Sequence, residues 1–176
     1  ARSWSHGVLV GAGMASETTA AALGQMGVVR RDPMAMKPFC GYNFGDYWKH
    51  WLSFEGRAGK LPRIFHVNWF RQDKNGRYMW PGFGENLRVL RWITDRCDNR
   101  IEAQDTPIGF VPRRQHLDVA GLKIDAATIE TLLSVDPVAW RHEVESIGKY
   151  LDEFRERVPA KLRDELRDVA RRLGSG

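Results

Sequence analysis

Cysteine is almost absent from this chain of 176 residues: Cys40 and Cys97 are the only two. With no spacing motif around them, they exclude a disulfide framework and a zinc module, and they fit a reducing compartment, the cytoplasm. Long apolar runs are absent too. None approaches the ~18 residues that a membrane-spanning helix needs. No G-x-x-x-x-G-K-[ST] phosphate loop occurs anywhere, and the glycines from Gly7 to Gly13 do not match the dinucleotide fingerprint. The five histidines, His6, His50, His66, His116 and His142, lie at no metal-ligand spacing with another His, Cys or carboxylate. No nucleophile–base pair is recognisable. Taken alone, the sequence gives this chain neither a metal centre nor a catalytic residue.

What remains is ordinary in bulk and uneven in detail. A hydrophobic content of 43% and a charged content of 28% are those of a globular chain of one domain or most of one. The net charge of +5 is concentrated. Residues 57–100 hold ten Lys/Arg against four Asp/Glu, whereas residues 136–176 hold nine of each. The basic excess surrounds the richest aromatic stretch, in which Phe65, Trp69, Phe70, Tyr78, Trp80 and Phe83 fall among Gly76, Gly82 and Gly84. Charge of this kind suits an anion such as a nucleotide, and it equally suits plain solvated surface. The rings suit stacking on a flat base, and they equally suit a hydrophobic loop folded into the core. Stacking does not choose among bases. Edge contacts do, and Asn86 and the loop's backbone groups are equipped for them.

Local patterns predict a mixed α/β chain. Val8–Val10 reads as a short strand, and Ser16 as the N-cap of a short helix reaching Leu23. Val28–Arg30 reads as another strand, and Asp46–Leu52 as a helix with Tyr47, Trp48, Trp51 and Leu52 on one face. Ile64–Phe70 reads as a strand, and Asp73-Lys74-Asn75-Gly76 as a hairpin turn. Asn86–Arg96 reads as a helix, residues 100–124 as a connector with short extended pieces, and Asp125 as the cap of a helix through Leu133. Asp136-Pro137 opens the longest helix, with an apolar stripe of Trp140, Val144, Ile147, Leu151, Phe154 and Val158. After Pro159 a last helix carries Leu162, Leu166, Val169 and Leu173. The two C-terminal stripes are expected to pack on each other. Glu145–Lys149, Glu153–Arg157 and Asp168–Arg172 are expected as i,i+4 pairs. Because a buried-looking run is reached at once, with no initiator Met, the chain is expected to be the C-terminal piece of a longer protein.

Several strings are specific enough to carry a resemblance. They are Ser3-Trp4-x-His6-Gly7-Val8, Met14-x-Ser16-Glu17-x-Thr19-Ala20-Ala21-Ala22 and Asp32-Pro33-Met34-Ala35-Met36-x-Pro38-Phe39-x-Gly41-Tyr42-Asn43-Phe44-Gly45. To these are added Leu61-Pro62-x-Ile64-Phe65-His66-Val67-Asn68-Trp69-Phe70-Arg71, Trp80-Pro81-Gly82-Phe83-Gly84-Glu85-Asn86 and Thr106-Pro107-Ile108-Gly109. Over essentially its whole length the chain resembles the C-terminal third of GTP-dependent phosphoenolpyruvate carboxykinases. The resemblance implies part of that family's C-terminal nucleotide-binding domain, ending in a helical subdomain. Residues 1–124 would then carry the lid and the guanine-nucleotide site, and residues 125–176 the helical subdomain. It implies a guanine site at Phe70, Tyr78, Phe83 and Asn86, with Tyr78 standing where the family often has Phe. It also implies an active-site lid in the Ser16–Gly27 segment, beginning with Ser16, Glu17, Thr18, Thr19, Ala20, Ala21 and Ala22. There the chain departs from the family: Ala15 replaces a frequent Arg, and Leu23-Gly24-Gln25-Met26 replaces a more basic stretch.

The resemblance further implies the reaction of oxaloacetate and GTP to phosphoenolpyruvate, CO2 and GDP, with Mn2+ and Mg2+ as metals and gluconeogenesis as context. The complete enzyme is expected to be a cytoplasmic monomer with these small-molecule substrates, with neither membrane nor nucleic acid as partner. The metal-binding Lys, His and Asp, the phosphate loop and the substrate-holding arginines are expected upstream of this segment, which alone is expected to be inactive. A non-catalytic nucleotide-binding or interaction module from a truncated paralogue is the alternative.

Overall fold

The computed structural model describes residues 1–17, 29–57 and 59–174. Along the chain run α1 (Trp4–Ala12), β1 (Ala15–Glu17), β2 (Val29–Arg31), α2 (Phe44–Leu52), α3 (Asn86–Cys97), β3 (Ala103–Thr106), β4 (Gly109–Pro112), α4 (Ala126–Leu133), α5 (Pro137–Asp152) and α6 (Ala160–Gly174). The fold is mixed α/β. Its described strands form two antiparallel pairs, β1 with β2 and β3 with β4. Two compact units divide the chain: Ala1–Ile64 with Pro137–Gly176, and Phe65–Asp136.

The first unit is built on helices. As expected, α5 and α6 pack on each other, and α1 packs on α6 and on α2. Val8, Leu9, Trp48, Leu151, Leu162 and Leu173 are buried among them. The run Val8-Leu9-Val10 is therefore helical, not a strand. Ser3 caps α1 by accepting the His6 N–H at 3.0 Å. Burial of one helical face overrides the β-propensity of a three-residue run. Gly45, in the first turn of α2, lets the chain pass close by: a Cβ there would stand 2.5 Å from the Arg157 carbonyl oxygen.

The long C-terminal stripe is interrupted. Helix α5 ends at Asp152, Arg155 takes the left-handed conformation at φ 51°, and Phe154 and Val158 follow outside the helix. Glu153 and Arg157 thus share no helical face, and Arg157 pairs with Asp46 at 2.7 Å instead. On α6, Asp168 pairs with Arg171, one residue short of the expected partner.

His6 is buried on α1, with its ring Nδ1 accepting the Arg2 backbone N–H at 3.1 Å. Burial, then the N-terminal ammonium, Arg172 and Arg2, push its pKa from 6.5 down to about 4. The unfolded chain takes up this proton near 6.5 and the folded chain refuses it until about 4. His6 therefore contributes stability that is complete above about pH 6.5 and is lost as pH falls toward 4. Urea midpoints compared between the wild type and His6→Asn should diverge across that window. Parallel pH profiles would contradict the assignment.

The second unit starts at Phe65, in chain without regular secondary structure. Ile64–Phe70 carries the side chains of a strand but joins no ladder, because no segment among the described residues pairs with it. Its rings pack instead: Phe65 meets Trp92 edge-on at 6.0 Å, and Trp69 meets Trp80 at 6.3 Å. The hairpin turn forms as expected. The Asp73 N–H donates to Arg77 O at 2.9 Å, the Gly76 N–H donates to Asp73 O at 3.1 Å, and Gln72 bridges Tyr78. Asp125 caps α4 by accepting the Thr128 N–H at 2.6 Å.

Candidate functional site

The four residues expected to hold a base all lie in the second unit, on three adjoining pieces of chain. Phe70 stands in a turn in which its N–H donates to Asn68 Oδ1 at 3.0 Å. Tyr78 stands on the return arm of the hairpin, held in register by the Met79 N–H donating to Arg71 O at 2.9 Å. These two rings meet edge-on, with centroids 6.0 Å apart and planes at 66°. The Asp73 carboxylate, accepting the Asn75 and Arg77 N–H groups, stiffens the turn that joins the arms. Those backbone bonds hold its pKa below the usual carboxylate range.

Phe83 opens a 3-10 turn, Phe83–Glu85, that leads directly into α3. The residue before it, Gly82, has φ 119° and ψ −174°, a conformation that only glycine adopts freely. This glycine aims the next residue outward. Asn86 begins α3, and its Oδ1 accepts the Trp80 indole N–H at 2.9 Å.

Exposure separates the two readings of the aromatic loop. Phe70 is 68% exposed, Tyr78 58% and Phe83 92%. These rings do not fold into the core. Trp80 and Trp92, 7% and 5% exposed, do. Phe70, Tyr78 and Phe83 therefore lie on the surface of this unit. Among the described residues, Phe83 makes no ring contact with Phe70 or Tyr78. The three thus form a pair and a separate ring, with no stack among them.

The surrounding basic residues are partly committed. Arg88 pairs with Glu85 at 2.7 Å and with Asp118 at 3.3 Å, and Arg100 pairs with Asp95 and Asp98. Lys74 and Arg77 stand exposed at the hairpin tip. A shallow cleft of about 550 Å³ in the same unit is lined by Arg88, Arg91, Trp92, Arg114 and His116, and by none of the four expected base-binding residues. Among the described residues no group of three His, Cys, Asp or Glu is placed to hold a metal ion, and no helix is long and apolar enough to cross a membrane.

In the first unit, Ser16 and Glu17 lie on β1, opposite Arg30 and Val29 of β2, so Ser16 is a strand residue and not a helix cap. Thr18, Thr19, Ala20, Ala21 and Ala22 lie outside the described residues. The strand pair is tied down firmly. The Arg31 guanidinium, 14% exposed, grips both carboxylate oxygens of Glu143 at 2.7 and 3.1 Å, and also donates to Gly13 O and Ser146 Oγ. Buried Asp32 accepts the Ser16 hydroxyl at 2.7 Å and the Lys37 N–H at 2.9 Å. Neither tie was foreseen from sequence. Nor was the Trp80–Asn86 bond, although a tryptophan needs an acceptor when its ring is buried, and Asn86 stands only six residues away.

Comparison with known proteins adds an independent line. Residues 1–172 match the family model described as "Phosphoenolpyruvate carboxykinase C-terminal P-loop domain". Three proteins named phosphoenolpyruvate carboxykinase [GTP] are among the relatives. That of Chlamydia pneumoniae is 54% identical over 168 residues, covering 94% of this chain and 28% of the relative. That of Neocallimastix frontalis is 51% identical over 175 residues, covering 98% and 29%. That of Paenarthrobacter aurescens (strain TC1) is 48% identical over 176 residues, covering 99% and 29%. The chain thus spans less than a third of the length of these relatives. With half of its residues identical over nearly all of its length, the chain belongs to the GTP-dependent phosphoenolpyruvate carboxykinase family, as part of that family's C-terminal domain.

Proposed function

We propose that this segment supplies guanine recognition and the active-site lid to a GTP-dependent phosphoenolpyruvate carboxykinase. That enzyme would decarboxylate oxaloacetate and transfer the γ-phosphoryl group of GTP to the resulting enolate, giving phosphoenolpyruvate, CO2 and GDP. The single observation that carries the base-binding half is the exposure of Phe70, Tyr78 and Phe83 in one chain segment that ends at an asparagine of fixed orientation. Exposed rings offer faces to a purine, each worth roughly 1–3 kcal/mol by analogy with base stacking in single-strand binders. The amide of Asn86 reads the base edge.

Residues 1–124 carry both functions in this reading, and residues 125–176 complete the domain as a helical subdomain. The lid begins at Ser16 and Glu17 and runs through Thr18–Ala22. Its anchor is the β1–β2 pair, with Arg31 and Asp32 holding the base of the segment against α1 and α5. A gate needs such a rigid root, because only then does closure exclude water from a reactive enolate without loosening the domain.

Turnover is assigned elsewhere. The chain has no phosphate-loop motif, and no described cluster fits Mn2+ or Mg2+, so no step is derived through a metal from these residues. In the complete enzyme those ions would offset phosphate charge during transfer. The isolated segment is expected to bind nucleotide without consuming it. The complete enzyme is assigned to gluconeogenesis in the cytoplasm, as a monomer.

The residue-level test is Asn86→Ala. Losing one edge contact should narrow the preference for GTP over ATP by about ten-fold, the equivalent of ~1.4 kcal/mol. Calorimetric affinities for the two nucleotides measure it. An unchanged ratio would move base reading to another group.

A further inference from the structure

An asparagine amide is two-faced: its oxygen accepts and its nitrogen donates. Left to rotate, it pairs with adenine as readily as with any base, taking the adenine N6 and N7 together in a bidentate contact. An asparagine selective for guanine therefore needs something to stop it from turning. Here Asn86 Oδ1 accepts the indole N–H of Trp80 at 2.9 Å. An indole nitrogen only donates, so this bond selects the oxygen end of the amide and rejects the nitrogen end. Trp80 itself has little freedom, being 7% exposed and packed against Trp69 at 6.3 Å. At its other end Asn86 is fixed by the backbone, as the first residue of α3. The planar amide is thus pinned with its oxygen toward the buried indole and its nitrogen on the opposite arm.

We infer that Trp80 is the positioning residue for base selectivity: it locks Asn86 so that the amide turns its two N–H donors, and not its oxygen, toward the purine edge. The inference rests on the clamp reading given above. Guanine and hypoxanthine carry an oxygen at C6, which accepts from such donors. Adenine carries an amino group there, which meets them donor to donor. Selectivity then comes from the rejection of adenine as much as from attraction to guanine, and the rejecting element is a tryptophan that touches no base.

The test is Trp80→Phe, which keeps a buried aromatic ring and removes the pyrrole half that carries the N–H donor. Titrations of the 176-residue chain with GTP, ITP and ATP read it out. In the wild type, GTP and ITP should bind within a few-fold of each other and well above ATP. In Trp80→Phe the GTP/ATP ratio should fall about ten-fold, with ATP binding more tightly than before because the amide is free to turn. A merely structural role for Trp80 would weaken all three nucleotides together, and that result would overturn the inference, as would an unchanged ratio. The wild-type panel decides the matter without any variant. If ITP binds as poorly as ATP, the C6 oxygen is not what the site reads and the assignment fails. A wild type with no preference among the three would instead sink the clamp reading itself, and this inference with it.

Discussion

Trp48→Ala is expected to destabilise the first unit by roughly 3–5 kcal/mol, the range for truncating a large buried aromatic residue. Trp48 is 0% exposed. It stacks on Phe44 at 6.0 Å and takes Phe154 edge-on at 4.9 Å, so it joins α2 to the turn that follows α5. The cost should appear as a lower urea midpoint at unchanged slope. Trp48→Phe offers the internal control. The indole N–H of Trp48 is buried with no acceptor among the described residues, so removing it forfeits ring area but also a donor without a described partner. Its cost should be well below that of the alanine variant. A Trp48→Ala chain within about 1 kcal/mol of the wild type would show that the aromatic cluster does not hold this unit together.

Phe83→Ala is expected to weaken GTP binding by roughly 1–3 kcal/mol, five- to more than a hundred-fold. The argument runs opposite to that for Trp48. Phe83 is 92% exposed, so its ring supports nothing in the free chain. Truncation should leave the unfolding midpoint within about 0.5 kcal/mol, the usual range for a surface site. Binding lost at constant stability would identify the ring as a ligand contact. GTP affinity equal to that of the wild type would remove Phe83 from the site. Phe70 and Tyr78, already touching each other, should show a smaller single-site loss, since either ring can take over part of the other's face.

How much of this was legible before the fold was known depended on whether an element acts alone. The stripe of Leu162, Leu166, Val169 and Leu173 is a local pattern, and it becomes α6. The caps of Asp125 and the turn at Asp73–Gly76 are local chemistry, and they form as read. Val8–Val10 failed because its β-propensity spans three residues, whereas the decision belongs to the packing of α1 on α2 and α6. Ile64–Phe70 failed differently: its residue types suit a strand, but a strand needs a partner, and sequence periodicity says nothing about who supplies it. The stripe through Val158 overran α5 because apolar spacing continues across the break at Arg155.

The candidate site follows the same division. Family resemblance singled out Phe70, Tyr78, Phe83 and Asn86, but composition could not tell a buried loop from an exposed one. Of the seven tryptophans, Trp48, Trp80 and Trp92 are buried and the other four are half-buried. The phenylalanines at 70 and 83 are exposed. The Trp80–Asn86 bond shows what a sequence withholds. Both residues were in view, and only their geometry relates them.

The central claim is that these 176 residues recognise guanine, and calorimetric titration of the folded chain with GTP, GDP and ATP tests it most directly. The account predicts that GTP and GDP bind alike and more tightly than ATP, since the base and not the γ-phosphate is what this segment holds. A folded chain, verified by circular dichroism, that binds the three equally or binds none of them would contradict it.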